Sequence, residues 1–166
     1  ARVDEAQVPV EKRFEIYADR AEVIEQRYPA AGKPNAEVRL FLRRIEDGAD
    51  VEIDLGDERD IYLARVDWLP DAGALLVQRQ SRDQRTLDLL LANTQDGSSK
   101  VILAESSDTW VNLHNDLRVL PDGKSFIWSS GRSGHAHVEL GASYGSLGRP
   151  LTRGPWVVVS VLAGGC

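Results

Sequence analysis

The second half of the chain repeats itself with a period of about fifty residues. The tripeptide Leu-Pro-Asp begins at Leu69 and again at Leu120, fifty-one positions later. Each copy continues with an apolar run, a turn that contains an arginine, a second apolar run and a Gly-Ser turn, and each ends at a Trp-Val pair. A fixed period of this length, built from short strands and turns, is typical of the blades of a β-propeller.

The apolar runs predict four-stranded antiparallel meanders, because they are short and separated by tight turns. The first copy predicts strands at residues 61–68, 74–80, 86–93 and 100–105, and the second at residues 116–120, 125–130, 135–140 and 149–152. Further strands are predicted at residues 14–17, 38–44, 51–55 and 157–162. Only residues 19–27 favour a helix, which Asp19 would cap and Pro29 would end.

We therefore predict an all-β fold: a partial β-propeller of about three blades, with one short helix at most. A plain β-sandwich is the alternative, although it would not explain the repeat. Residues 1–60 are predicted to form an irregular blade with an insertion, residues 61–107 and 108–156 one blade each, and residues 157–166 the start of another. A complete propeller has roughly four to eight blades, so we expect a larger ring. Uncovered apolar faces and strand edges then predict self-association or a homo-oligomer.

Composition narrows the classes of partner. The net charge of −6 and the scattered arginines argue against nucleic acid. No signal peptide is apparent, and the longest apolar stretch, residues 156–163, is too short to span a membrane. Cys166 is the only cysteine, so it can form no internal disulfide. The chain begins without methionine and in the middle of a strand-like pattern, which suggests a processed or excised piece.

One motif suggests catalysis by a serine. Residues 141–145 fit the G-x-S-x-G pattern, in which Ser143 would be the nucleophile on a turn between a strand and a helix. Gly148 and Pro150 would interrupt that helix, and all three histidines precede the serine, whereas hydrolases of this fold place the histidine after it. The repeat instead assigns this stretch to a hairpin turn, so no catalytic residue is predicted.

Three other groups of residues admit a functional interpretation. His135 and His137 would share one face of a strand and could bind a metal, but no third ligand is near in sequence. An acidic cluster lacks the spacing of a calcium loop and is interpreted as a solvated turn. Four tryptophans recur with the repeat and are predicted to be core or blade-packing residues and not a substrate cage. No metal and no cofactor are predicted. The cluster comprises Asp54, Asp57, Glu58 and Asp60, and the tryptophans are Trp68, Trp110, Trp128 and Trp156.

The segment RYPAAGKPN at residues 27–35, followed by the strand-like residues 38–41, resembles a signature of the dipeptidyl peptidase IV family. The segments around residues 1–10, 110–116, 120–123 and 151–156 also fit that family, in the same order along the chain. The resemblance implies part of an eight-bladed propeller that lies over an α/β-hydrolase domain. It also implies a peptidase that removes X-Pro or X-Ala dipeptides from N-termini, and a periplasmic or cell-envelope location.

The resemblance places the Ser-Asp-His triad after this chain, and the paired glutamates that hold the substrate's amino group before it. Peptide substrate would then be bound largely through the missing hydrolase domain. The loop after the blade-opening tryptophan borders the substrate pocket in the family, which makes His114 and Asn112 substrate-proximal candidates here. The chain departs from the family pattern in two places. Gly131 replaces a glutamate before Arg132, which would remove an acid–arginine contact, and the pattern ends after Val157.

Two main hypotheses follow. The first is a propeller segment of a dipeptidyl peptidase IV-like serine exopeptidase, inactive by itself and serving substrate access or gating. The second is a stand-alone β-repeat module that binds proteins or peptides without catalysis. A third, hydrolysis at Ser143 within this chain, has only the motif in its favour.

Overall fold

The computed structural model describes residues 1–142 and 146–162, and these form strands and turns with no helix. They therefore include no helix that could cross a membrane. The predicted all-β class is confirmed. The strands are β1 (Arg2–Asp4), β2 (Val10–Ile16), β3 (Ala21–Arg27), β4 (Glu37–Arg43), β5 (Asp50–Ile53), β6 (Ile61–Trp68), β7 (Ala74–Ser81), β8 (Thr86–Asn93), β9 (Ser99–Ser106), β10 (Arg118–Val119), β11 (Ser125–Ser130), β12 (His137–Ala142) and β13 (Ser146–Pro150).

The repeat corresponds to two four-stranded antiparallel sheets, each built from consecutive strands. The first sheet has the order β6-β7-β8-β9 and the second the order β10-β11-β12-β13. Before them lie a three-stranded sheet of order β1-β4-β5 and a separate hairpin formed by β2 and β3. The division into blades at residues 60, 107 and 156 stays a prediction, while the sheets themselves end within those limits.

The β6–β9 sheet is buried on both faces. Successive side chains of a strand point to opposite sides of the sheet, so a single strand contributes to two cores. On β7, Leu75 and Val77 join a first intersheet core, which includes Leu40 of β4 and Ile53 of β5. The side chain between them, Leu76, joins a second intersheet core that continues into the β10–β13 sheet and the loop before it. The second core comprises Leu69, Leu76, Leu87, Leu89, Ile102, Leu103, Val111, Leu117, Phe126 and Trp128. The sheets thus pack face to face in sequence order, as the blades of a propeller do.

The predicted helix at residues 19–27 is wrong. This segment contains β3, which pairs with β2 in an antiparallel hairpin in register from Val10–Arg27 to Ile16–Ala21. A backbone hydrogen bond from Tyr17 N to Arg20 O, 2.8 Å long, closes the turn. The cross-strand pair of Phe14 and Val23 stabilises the hairpin, since aromatic and β-branched side chains pack well against each other across two strands.

The strand predicted at residues 157–162 is also wrong. Val158 N donates to Ala136 O at 2.8 Å, and Val161 N donates to the Asp116 carboxylate at 2.9 Å. These isolated bonds to two different elements replace the regular ladder that a strand requires. That residues 157–166 begin a further blade stays a prediction.

Three of the four recurring tryptophans are not in the core. Trp68, Trp110 and Trp156 are each about half exposed, whereas Trp128 is completely buried. The prediction of a core position is therefore confirmed for Trp128 alone, while Trp156 packs edge-to-face against His137 of β12, with 5.0 Å between the ring centroids. Only Trp128 lies between the two four-stranded sheets.

Candidate functional site

The loop between β9 and β10, residues 107–117, crosses from one four-stranded sheet to the next. Its first part is fastened to the β7–β8 turn by two backbone hydrogen bonds, Ser107 N to Arg85 O at 3.0 Å and Val111 N to Gln84 O at 2.8 Å. The buried Gln80 side chain adds a third bond, from Nε2 to Val111 O at 3.0 Å. The loop is therefore held at one end of the second intersheet core, where both of its predicted site residues lie.

His114 is positioned by contacts on its ring face and on one nitrogen. The ring packs edge-to-face against the indole of Trp128, with 4.3 Å between the centroids. Nδ1 accepts a hydrogen bond of 3.2 Å from the backbone N–H of Asp116, so in the neutral ring the proton is on Nε2. Nε2 is buried and has no hydrogen-bond partner among the described residues.

The pKa of His114 lies below its ordinary value, chiefly because burial disfavours the imidazolium. The negative charge of Asp116 acts in the opposite direction, and the positive charge of Arg65 lowers the pKa further. Protonation at Nδ1 would also remove the acceptor for the Asp116 N–H. The neutral ring is therefore the form that fits the fold.

This lowered pKa predicts a loss of stability in mild acid. Below the unfolded-state pKa of about 6.5 the unfolded chain binds a proton at residue 114 that the folded chain resists, so the free energy of unfolding falls as the pH falls. One proton changes it by at most about 1.4 kcal/mol per pH unit. We expect His114→Asn to weaken the fall below about pH 6.5, measured by urea denaturation at a series of pH values.

The control for this measurement is His135→Asn, because His135 is exposed. The control variant shows how much of any change comes from removing a histidine of any kind. If both variants shift the profile equally, or if neither does, the burial of the His114 ring does not account for acid sensitivity.

Asn112 lies in a different environment from His114. Its Oδ1 accepts a hydrogen bond of 3.1 Å from Trp110 Nε1, and its side chain borders a cavity of about 310 Å³. His114 does not line that cavity. The structure therefore places the two predicted residues on one loop but not in one pocket. The cavity is lined by Glu105, Ser106, Ser107, Trp110, Val111, Asn112, Gly131, Arg132 and Gly134.

Glu105 is a residue of this region that sequence reasoning missed. It lies on β9 and is buried, and its Oε1 accepts a hydrogen bond of 2.9 Å from Trp128 Nε1. A usable signal existed, because Glu105 follows Leu103 at a spacing of two within a predicted strand. Leu103 is buried in the second intersheet core, so an acid at the next position on that face signals an enclosed carboxylate.

The histidine pair does not form a metal site. His137 is buried, and its Nε2 donates to Gly154 O at 3.0 Å while its Nδ1 lies 3.1 Å from Thr152 Oγ1. Both nitrogens are therefore occupied by protein groups. His135 is exposed just before β12, with its ring centroid 6.4 Å from that of His137. Across residues 1–142 and 146–162, no three metal-binding side chains cluster. Ser143 lies outside the described residues.

The acidic cluster stabilises a turn, as predicted. Asp54 accepts a hydrogen bond of 2.8 Å from the N–H of Gly56, and Glu58 accepts one of 2.9 Å from the N–H of Asp60. All four acids of the cluster are exposed.

The predicted loss of an acid–arginine contact next to Gly131 does not apply to Arg132. Arg132 Nε donates to Glu139 Oε1 at 3.2 Å, and its Nη2 donates to the other oxygen of the same carboxylate. Glu139 is supplied by β12, across the hairpin, so the arginine keeps a paired charge without a neighbouring glutamate.

Known proteins are similar to this chain in both sequence and fold. Residues 1–164 match the family described as the dipeptidyl peptidase IV N-terminal region. The chain is 29% identical to a protein named probable dipeptidyl peptidase 4 from Aspergillus clavatus, covering 98% of this chain and 23% of that protein. The crystal structure of Porphyromonas gingivalis dipeptidyl peptidase 4 superimposes with a TM-score of 0.84 at 26% identity, covering 95% of this chain and 23% of that one.

The face-to-face four-stranded sheets and these similarities define a segment of a β-propeller domain. The chain belongs to the dipeptidyl peptidase IV N-terminal region family. It spans about a quarter of the length of the relatives named above.

Proposed function

We propose that the chain is a propeller segment of a serine exopeptidase that releases X-Pro or X-Ala dipeptides, in which the segment shapes substrate access and does not carry the triad. The observation that supports this most is the family match over residues 1–164, together with relatives named as dipeptidyl peptidases. Peptide substrate would meet this segment at the 107–117 loop. There His114 and Asn112 would border the substrate without taking part in bond cleavage.

The rigidity of the loop supports a role in shaping access. Its start is fixed by the Ser107 and Val111 hydrogen bonds, and its centre by the packing of His114 on the buried Trp128. Arg65 of β6 adds a bond of 2.9 Å from Nε to Asn115 Oδ1. A loop held at so many points can present side chains to a ligand with little loss of conformational entropy on binding.

The natural reading frame around residues 1–166 distinguishes the peptidase from the stand-alone binding module. The peptidase proposal expects a downstream α/β-hydrolase domain with a serine, an aspartate and a histidine in that order. It also expects a pair of glutamates shortly upstream of Ala1. A frame that ends at Cys166 would contradict the proposal and favour the binding module.

Self-association is a further part of the proposal. The β2–β3 hairpin presents a small apolar patch next to its turn, where Phe14 and Ile16 are 69% and 83% exposed and Val23 just over half exposed. The Lys12–Glu25 ion pair borders the patch on the same face. Exposed apolar patches of this kind mark interaction surfaces. A second copy of the chain could cover the face, in addition to the open sheet edges.

We expect the chain to associate at high concentration in the presence of reductant, and Phe14→Lys to shift it towards monomer. Sedimentation velocity measures both. The control is Ile45→Lys, because Ile45 is 94% exposed and isolated in the β4–β5 turn, so its replacement should leave the distribution unchanged. A clean monomer for the unmodified chain would count against association.

A further inference from the structure

Glu105 is a buried carboxylate without a matching positive charge. Its exposed fraction is 8%, and it forms no ion pair with any described residue. Its hydrogen bond from Trp128 Nε1 occupies Oε1 only. Glu139, which is as deeply buried, is paired with Arg132. An enclosed charge without a partner is costly, and buried carboxylates are generally paired with a cation for this reason.

Glu105 is one of the residues that line the cavity of about 310 Å³. The cavity has one basic side chain in its wall, Arg132, and the Glu139 carboxylate already engages that guanidinium. The charge left uncompensated in the cavity is therefore negative. Its volume is at the lower end of the range for small-molecule pockets, which suits a single side chain or a ligand of that size.

Trp110 supplies a second recognition element for a cation. It lines the same cavity, is 59% exposed, and is held in place by the hydrogen bond from its Nε1 to Asn112 Oδ1. An indole beside a carboxylate attracts organic cations through the negative face of its ring. Ser106 also lines the cavity, whereas the Ser107 hydroxyl already accepts a hydrogen bond of 3.2 Å from the N–H of Thr109.

We propose that this cavity binds an organic monocation, an alkylguanidinium group such as an arginine side chain, with Glu105 as its counter-ion and Trp110 beside it. A divalent metal fits less well, because calcium or magnesium requires several oxygen ligands and no three metal-binding side chains of the described residues cluster here. An anion is disfavoured because Arg132 is already paired. The inference does not depend on peptidase activity and holds equally for a binding module.

The test uses the 166-residue chain and two matched ligands, n-butylguanidine and the uncharged n-butylurea. We expect butylguanidine to bind with a Kd in the millimolar range, and butylurea to bind at least about ten-fold more weakly, a difference of about 1.4 kcal/mol. Titration followed by NMR of the tryptophan indole N–H signals measures the Kd. It also reports on the site, because Trp128 Nε1 donates to Glu105 and should shift on binding.

Glu105→Gln removes the charge but keeps an amide oxygen that can accept the bond from Trp128 Nε1. We expect this variant to bind butylguanidine about ten-fold more weakly, with the Trp128 indole signal retained as evidence of folding. Trp110→Leu changes an exposed side chain, so it keeps the fold, and should weaken binding about three-fold. Asp108→Asn is the control, because Asp108 is exposed on the same loop but does not line the cavity.

Three results would overturn the proposal. They are the absence of butylguanidine binding to the unmodified chain in the millimolar range, equal binding of butylurea, and unchanged affinity in both Glu105→Gln and Trp110→Leu. Weakening by Asp108→Asn equal to that by Glu105→Gln would also contradict it, because it would show attraction to the acidic surface in general.

Discussion

Replacement of Trp128 by alanine is expected to lower the free energy of unfolding by about 4 kcal/mol, because it deletes the largest completely buried side chain. Trp128 lies in the second intersheet core and packs against His114. Its removal also leaves the buried Glu105 carboxylate without the indole donor. The quantity to measure is the free energy of unfolding from urea denaturation at neutral pH, with a constant slope indicating two-state behaviour.

The matched control is Trp68→Ala. Trp68 is 56% exposed at the end of β6, so its loss should cost no more than about 1 kcal/mol. A similar loss for both variants would mean that the two four-stranded sheets do not pack through Trp128. That result would also contradict the packing of the 107–117 loop on Trp128 through His114.

Replacement of Gly97 by alanine should lower the free energy of unfolding by about 3 kcal/mol, the second largest loss that we expect. Gly97 has a φ of +76°, and a Cβ there would overlap the backbone carbonyl of Glu52 on β5. The same glycine accepts a hydrogen bond of 2.8 Å from Asp54 N, so it fastens the β8–β9 turn to the preceding three-stranded sheet. An added methyl group must therefore separate two sheets as well as strain one residue. Urea denaturation measures the effect.

Gly48→Ala isolates the contribution of the overlap. Gly48 has a nearly equal φ of +71°, but a Cβ there would meet no atom within 4 Å. Its replacement should lower the free energy of unfolding only by the cost of a positive φ in a residue that has a Cβ, about 1 to 2 kcal/mol. Equal losses at the two positions would show that the Gly97 turn does not contact the three-stranded sheet.

Much of the fold could be predicted from the sequence because the repeat and the strand patterns agree. The strands at Ile61–Trp68, Thr86–Asn93 and Ser125–Ser130 have the bounds that were predicted. The wrong predictions concern segments whose secondary structure depends on contacts with other parts of the chain. Residues 19–27 have a local helix signal, and pairing with β2 overrides it, because every residue of β3 from Ala21 to Arg27 lies opposite a residue of β2.

The candidate site could be predicted only in part. The family resemblance indicates His114 and Asn112, but the sequence does not reveal that one ring packs on Trp128 while the other side chain borders a cavity. Glu105 was missed because a single acid at the end of a strand is usually solvent-exposed. Its burial depends on the neighbouring sheet, which supplies Trp128 from 23 positions away. The spacing of two from Leu103 places Glu105 on an apolar face of the strand, but the packing between sheets decides which residue that face meets.

We propose that this chain is the propeller segment of a dipeptidyl peptidase whose chemistry lies outside residues 1–166. The most direct test is to measure the release of dipeptide from Gly-Pro-p-nitroanilide by two preparations, the complete natural gene product and the 166-residue chain. We expect turnover by the complete product and none by the chain alone. Turnover by the isolated chain that is abolished by Ser143→Ala, or no dipeptide release by the complete product, would contradict it.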